Sequence, residues 1–140
     1  MRPRPAAFLA GALWGGLAWG LGARAYGPGL WGGLAAAPFI GVLVAALLQA
    51  LFESTTGWRR CLTALVSLYL AATLFALVVG ITGAMLSASE RNSLEVVWEA
   101  VIGTWWGVTL TGFLIALWPL AYLTHIVLEW VGDLSPDRRS

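Results

Sequence analysis

An all-α, polytopic integral-membrane fold is predicted by three features of this sequence. Its mean hydropathy of +0.80 and its content of 59% hydrophobic and 11% charged residues lie outside the range of soluble domains. Its apolar residues gather in four runs, each near the roughly 20 residues that a helix needs to cross about 30 Å of hydrocarbon. Those runs lack strict alternation, and lipid offers no partner to an exposed sheet edge, so the spanning elements are helices.

The helices are expected at about 6–23, 30–52, 61–86 and 100–130, within a single membrane domain covering residues 1–140. Their linkers, ARAYGPG, ESTTGWRR and SASERNSLEVVWE, leave no room for a soluble domain. The last run is long enough to tilt or to project from the bilayer. Residues 93–99 before it place Leu94, Val97, Trp98 and Val101 on one face and Glu95 and Glu99 on the other. They extend the fourth helix or lie along the membrane surface, with Ser89 or Ser93 as N-cap.

Arginine sets the orientation. The chain has no lysine, and its eight basic residues are all arginine, against seven acidic ones. With four crossings, Arg2, Arg4, Arg59, Arg60, Arg138 and Arg139 share one side, opposite Arg24 and Arg91. The positive-inside rule then puts both termini in the cytoplasm, as for a bacterial inner-membrane protein. MRPRP followed by an apolar run and Ala23-Arg24-Ala25 has the outline of a cleaved signal peptide. The run is long for a signal core and is interrupted by Trp14, Trp19 and several glycines, so a retained first helix is expected. A near-neutral chain of this kind is no partner for nucleic acid.

Small residues predict how the helices pack. Helices in lipid gain little from the hydrophobic effect on meeting, so close backbone approach becomes a main source of attraction. Gly11, Gly15 and Gly22 in the first run, Gly33 and Gly41 in the second, Gly80 in the third, and Gly103 and Gly107 in the fourth recur at helical spacing. A compact four-helix bundle with little room at its centre is the expected product. The stretch LWGGLA occurs twice, as Leu13–Ala18 and Leu30–Ala35. The copies fall at different depths, unlike the matched breaks of a duplicated transport site, and read as packing surfaces.

Nine tryptophans form the second compositional signal. Trp31, Trp58, Trp98 and Trp130 fall near predicted interfaces, where indole is favoured. Trp14, Trp19, Trp105, Trp106 and Trp118 fall deeper, where an indole seeks an acceptor for its N–H. These deeper rings pack within the bundle, meet lipid, or contact a flat ligand such as a quinone or chlorin.

Chemistry-bearing residues are few, and they concentrate in the fourth run. Thr104, Gly107, Thr111, Trp118, Tyr122, His125 and Glu129 share one polar and small face. Tyr122, His125 and Glu129 follow one another at i+3 and i+4, a spacing that lets them hydrogen-bond along one edge. Carboxylate beside imidazole suits a proton acceptor, a quinone contact, or the axial ligand of a haem or chlorin. Pro119 frees the carbonyl of Ile115 and permits a kink there. The competing reading places His125 about 37 Å along the helix, in the interface, where His and Glu are solvated or paired. Cys61 stands alone, and one cysteine with one histidine is too few for a protein zinc site. No phosphate loop, HExxH, GxSxG or CxxC is present; no cofactor is required by the sequence.

The functional expectation is therefore a non-catalytic accessory subunit of a larger integral-membrane complex, such as an electron-transfer or light-harvesting assembly. Its partners would be the lipid bilayer and other membrane subunits. The alternative is a small oligomeric transporter or channel that uses the polar face of the fourth helix. Against that alternative, a pore should draw polar residues from several helices.

Overall fold

The computed structural model describes residues 5–22, 29–86 and 92–133 of the chain. The terminal arginines, Arg24, Arg91, Ser89 and the Ala23-Arg24-Ala25 stretch lie outside the described residues. Five helices are present among those described: α1 (Pro5–Gly22), α2 (Leu30–Ser54), α3 (Trp58–Leu86), α4 (Ser93–Leu110) and α5 (Phe113–Asp133). α2, α3 and α5 are long and apolar enough to cross a membrane, and the chain carries the helices of an integral membrane protein.

The long fourth run is two helices rather than one. Thr111 and Gly112 interrupt it, and Gly112 takes φ +75, a left-handed conformation that costs any residue with a Cβ about 1–2 kcal/mol. The Thr111 amide still reaches the Gly107 carbonyl, and the Ile115 amide the Gly112 carbonyl, so one helix closes and the next opens within two residues. The interruption is at Gly112 and not at Pro119, which lies within α5. Residues 93–99 form the first turns of α4, whose N-cap is Asn92: its side chain accepts from the Leu94 amide at 3.2 Å.

The first four helices form a row. α1 packs on α2, α2 on α3, and α3 on α4. A Cβ added at Gly15 or Gly41 would come within 3 Å of α2 and α1 respectively, and at Gly80 within 3 Å of Val97 on α4. Gly11 meets the backbone of Ala37 and Pro38, and Gly33 meets Val79 and Phe75 of α3. The glycines of the two LWGGLA stretches face different helices, Gly15 toward Ala37 and Leu34 of α2 and Gly32 and Gly33 toward α3, while Ala18 of the first stretch packs on the cluster that includes Leu30 of the second. α3 and α4 are further joined by polar groups: Trp105 Nε1 donates to Thr73 Oγ1 at 2.9 Å, and the Tyr69 and Thr109 hydroxyls lie 2.8 Å apart.

α5 runs across this row. It touches α1, α2, α3 and α4. Trp118 Nε1 donates to the Cys61 carbonyl on α3 at 2.7 Å, Ala121 packs with Phe52, Ala64 and Leu68, and Leu128 packs with Ala7 and Ala45. Along α5 the contacts therefore pass from α3 to α1, while staying near the same end of each helix. Leu123, Ile126, Val127 and Trp130 point away from the row and are exposed, an apolar surface suited to lipid.

Between the row and α5 begins a cavity of about 730 Å³ that runs on toward Gly80 and Glu99 and is open where Gly103 and Thr111 are exposed. Its walls come from all five helices, from Ala10 and Trp14 on α1 to Thr124 and His125 on α5. The expectation of a filled centre is thus corrected. The reason is visible at Gly103 and Gly107, where an added Cβ would meet nothing within 4 Å: both line the cavity instead of a helix contact. Gly22 ends α1, and its surroundings lie outside what is described.

Candidate functional site

The site is built where α5 crosses the ends of α2 and α3. Phe52 is its centre and has no exposed surface. The His125 ring stacks on Phe52 with centroids 4.7 Å apart and planes at 17°, Tyr122 meets it edge-on at 5.5 Å, and the Arg60 guanidinium carbon lies 5.0 Å from its centroid. One apolar ring therefore orders an imidazole, a phenol and a guanidinium.

Arg60 reaches this position because the α2–α3 turn is tight. Gly57 takes φ +60, and the Arg60 amide donates to the Gly57 carbonyl at 3.2 Å. The side chain then folds back, with Nε donating to the Thr55 carbonyl at 2.8 Å. Its two terminal nitrogens meet the Glu129 carboxylate at 3.3 and 3.1 Å, the paired geometry that suits guanidinium and carboxylate.

His125 is buried, with 4% of its surface exposed, as are Gln49 at 4% and Ser67 at 5%. Nδ1 lies 2.7 Å from Gln49 Oε1, and Nε2 lies 2.8 Å from Ser67 Oγ. The Gln49 amide nitrogen donates to Glu53 Oε1 at 3.1 Å and to the His125 carbonyl at 3.2 Å. The Ser67 hydroxyl also lies 2.8 Å from the Ala64 carbonyl. Three helices thus hold one imidazole, and no buried polar side-chain atom among the described residues lacks a partner.

The four polar residues singled out in α5 are placed as follows. Tyr122, His125 and Glu129 share a face but do not bond one another. Tyr122 leans on Phe52, His125 bonds Gln49 and Ser67, and Glu129 pairs with Arg60. Trp118 bonds the Cys61 backbone. His125 is buried among protein groups and is not solvated. Both of its nitrogens face side-chain oxygens, so neither is open to a haem iron or chlorin magnesium. Among the described residues no group of three or more His, Cys, Asp or Glu side chains gathers as a metal site.

Gln49, Phe52, Arg60 and Ser67 were not foreseen as site residues. Gln49 carried a signal, as the most polar side chain within the bodies of the first three helices. Ser67 and Phe52 carried none, since serine and phenylalanine are ordinary in such helices.

His125 and Ser67 also form one end of the cavity, and Glu99 lines it at the height of Gly80 and Gly83. Thr104, Thr111 and Thr124 face it between these ends. Each of these hydroxyls donates to the carbonyl four residues earlier. Trp14 Nε1 donates to Thr124 Oγ1 at 3.2 Å across the cavity wall. Comparison with known protein families, curated proteins and solved structures finds no match for this chain.

Proposed function

We propose that this protein is a non-catalytic accessory subunit of a larger integral-membrane complex, in which its cavity holds a lipophilic small molecule. The observation that carries the reading is the cavity itself. Its 730 Å³ volume falls in the range of small-molecule sites, and its lining is largely apolar with few polar groups, as such sites require. His125 stands at its end with both nitrogens engaged by protein oxygens, an arrangement for shaping a binding site rather than for attacking a substrate.

Four crossings with both termini cytoplasmic remain part of the proposal: α1, α2, α3 and the run of residues 100–130 that is divided between α4 and α5, with α2, α3 and α5 meeting the length and hydropathy of a span. Arg59 and Arg60 sit beside the ends of α1 and α2 that α5 touches, in keeping with arginine on the cytoplasmic side of a bacterial inner membrane. Exposed Trp19, Trp31, Trp98 and Trp106 give lipid or neighbouring subunits an aromatic surface. An electron-transfer or light-harvesting assembly is the host to examine first.

The test is extraction from the native membrane in mild detergent, followed by native mass spectrometry and visible absorption of the same particle. A particle that contains other polypeptides and a retained lipophile supports the proposal. A colourless homo-oligomer without bound small molecule overturns it.

A second reading has its own observation. Polar residues from three helices line the cavity: Ser67 from α3, Glu99 and Thr104 from α4, and Thr124 and His125 from α5. Such convergence suits a transport path, and reconstituted vesicles that take up a solute only with the protein present would favour it.

A further inference from the structure

We propose that His125 is a reversible proton-binding site opening on the cavity through Ser67. The inference deepens the cavity reading, on which it rests for the route by which the proton arrives. It follows from counting hydrogens. The Gln49 amide nitrogen faces two acceptors, Glu53 Oε1 and the His125 carbonyl, so its oxygen is the atom that faces His125 Nδ1 at 2.7 Å. An oxygen acceptor there requires a proton on Nδ1.

Ser67 completes the count. It has one hydroxyl hydrogen and two neighbours that can take it, the Ala64 carbonyl at 2.8 Å and His125 Nε2 at 2.8 Å. With neutral imidazole protonated on Nδ1, the hydroxyl donates to Nε2. With imidazolium, Nε2–H donates to Ser67 Oγ and the hydroxyl turns to Ala64. Both states satisfy the ring, and passage between them needs one hydroxyl rotation and no movement of a heavy atom.

The proton has an entry. Ser67 and His125 both line the cavity. A hydronium ion there gives a proton to Ser67 Oγ and becomes water, as the original Ser67 hydroxyl proton passes to Nε2. The Oγ–H bond to that proton breaks, the Nε2–H bond forms, and the imidazole gains the single positive charge that the hydronium loses.

The surroundings set the electrostatics. On α2, Glu53 accepts from the same Gln49 amide that holds Nδ1. On α3, Arg60 lies against the Phe52 ring on which His125 stacks, with its charge matched by Glu129 of α5. Tyr122 of α5 meets that ring edge-on, while Arg59 and Cys61 are exposed. The described part of α1 contains no ionisable side chain, and Glu99 of α4 lines the other end of the cavity.

The chain has one histidine, so its ring nitrogens are resolved without assignment by nitrogen-15 NMR of the full chain in lipid nanodiscs. Spectra are recorded as the pH is lowered from about 8 to well below the range in which a free histidine titrates. The expected result is a neutral ring protonated on Nδ1, converting reversibly to imidazolium while helical circular dichroism stays constant. Ser67→Ala removes the charge-assisted acceptor and lowers proton affinity about tenfold, while Ser67→Thr keeps it. Gln49→Leu moves the neutral proton to Nε2. A wild-type ring protonated on Nε2, a ring that stays neutral until the helices melt, or an unchanged midpoint in Ser67→Ala overturns the proposal. These outcomes concern the ring alone, so an empty cavity in native material would sink the ligand reading and leave them standing.

Discussion

The indole of Trp14 donates to the Thr124 hydroxyl at 3.2 Å, joining the middle of α1 to the helix that lies across the row. Thr124 in turn donates to the Leu120 carbonyl at 2.7 Å, so its oxygen is oriented to accept. Thr124→Val keeps the volume and removes the acceptor. The expected cost is about 1–2 kcal/mol from an indole N–H left unpaired at a part-buried position, read as a lower midpoint of thermal unfolding in detergent. An unchanged midpoint would mean that the Trp14–Thr124 bond contributes little to holding α5.

His125→Ala empties the space against Phe52 and leaves Gln49 Oε1 and Ser67 Oγ without their shared partner. A loss of about 3 kcal/mol is expected from the combined cavity and unpaired groups. His125→Phe refills the space but not the bonds, so it should recover only part of that loss. Equal stability of the two variants would show that the polar contacts contribute little.

Arg60 and Glu129 should behave unequally although they form one ion pair. Their side chains are 24% and 29% exposed, so the pair itself is worth at most about 1 kcal/mol. Glu129→Gln should therefore cost less than about 1 kcal/mol. Arg60→Ala also uncovers Phe52 and frees the Thr55 carbonyl, and about 1–2 kcal/mol is expected. Comparing the two unfolding midpoints checks the order.

Two glycines nearby in sequence should respond oppositely. Gly112→Ala forces a Cβ into φ +75 and is expected to destabilise by about 1–2 kcal/mol. Gly107→Ala adds its Cβ to open cavity space within a helix, and a gain of about 0.5–1 kcal/mol is expected. The same substitution would reduce the room for a bound lipophile, so lower retention of that molecule should accompany the gain.

The helices were legible in the sequence because a membrane-length apolar run leaves the backbone one way to satisfy itself. The ends of α2 and α3 fell within a few residues of the expected positions for that reason. The division between α4 and α5 was not legible from hydropathy, since apolar residues continue on both sides of Thr111 and Gly112; the one local signal was a glycine following a β-branched residue. Helical spacing did place Tyr122, His125 and Glu129 on one face. Spacing within a helix says nothing about which other helix that face will meet, and the partners Gln49 and Ser67 lie 76 and 58 residues away from His125. The cavity escaped for a related reason: a stripe of glycines reads the same whether it admits a neighbouring helix, as at Gly11, or faces empty space, as at Gly103.

The order of synthesis gives the crossing helix a further meaning. α5 follows all four helices of the row in the chain, and the residues it grips on α1, α2 and α3, from Ala7 to Leu68, have left the ribosome before it. During that interval the row stands with its inner side uncovered at the end where His125 will sit. Until α5 docks, Gln49 Oε1 and Ser67 Oγ lack the imidazole that joins them, so a chain cut short before α5 is expected to hold the ends of α2 and α3 together less firmly.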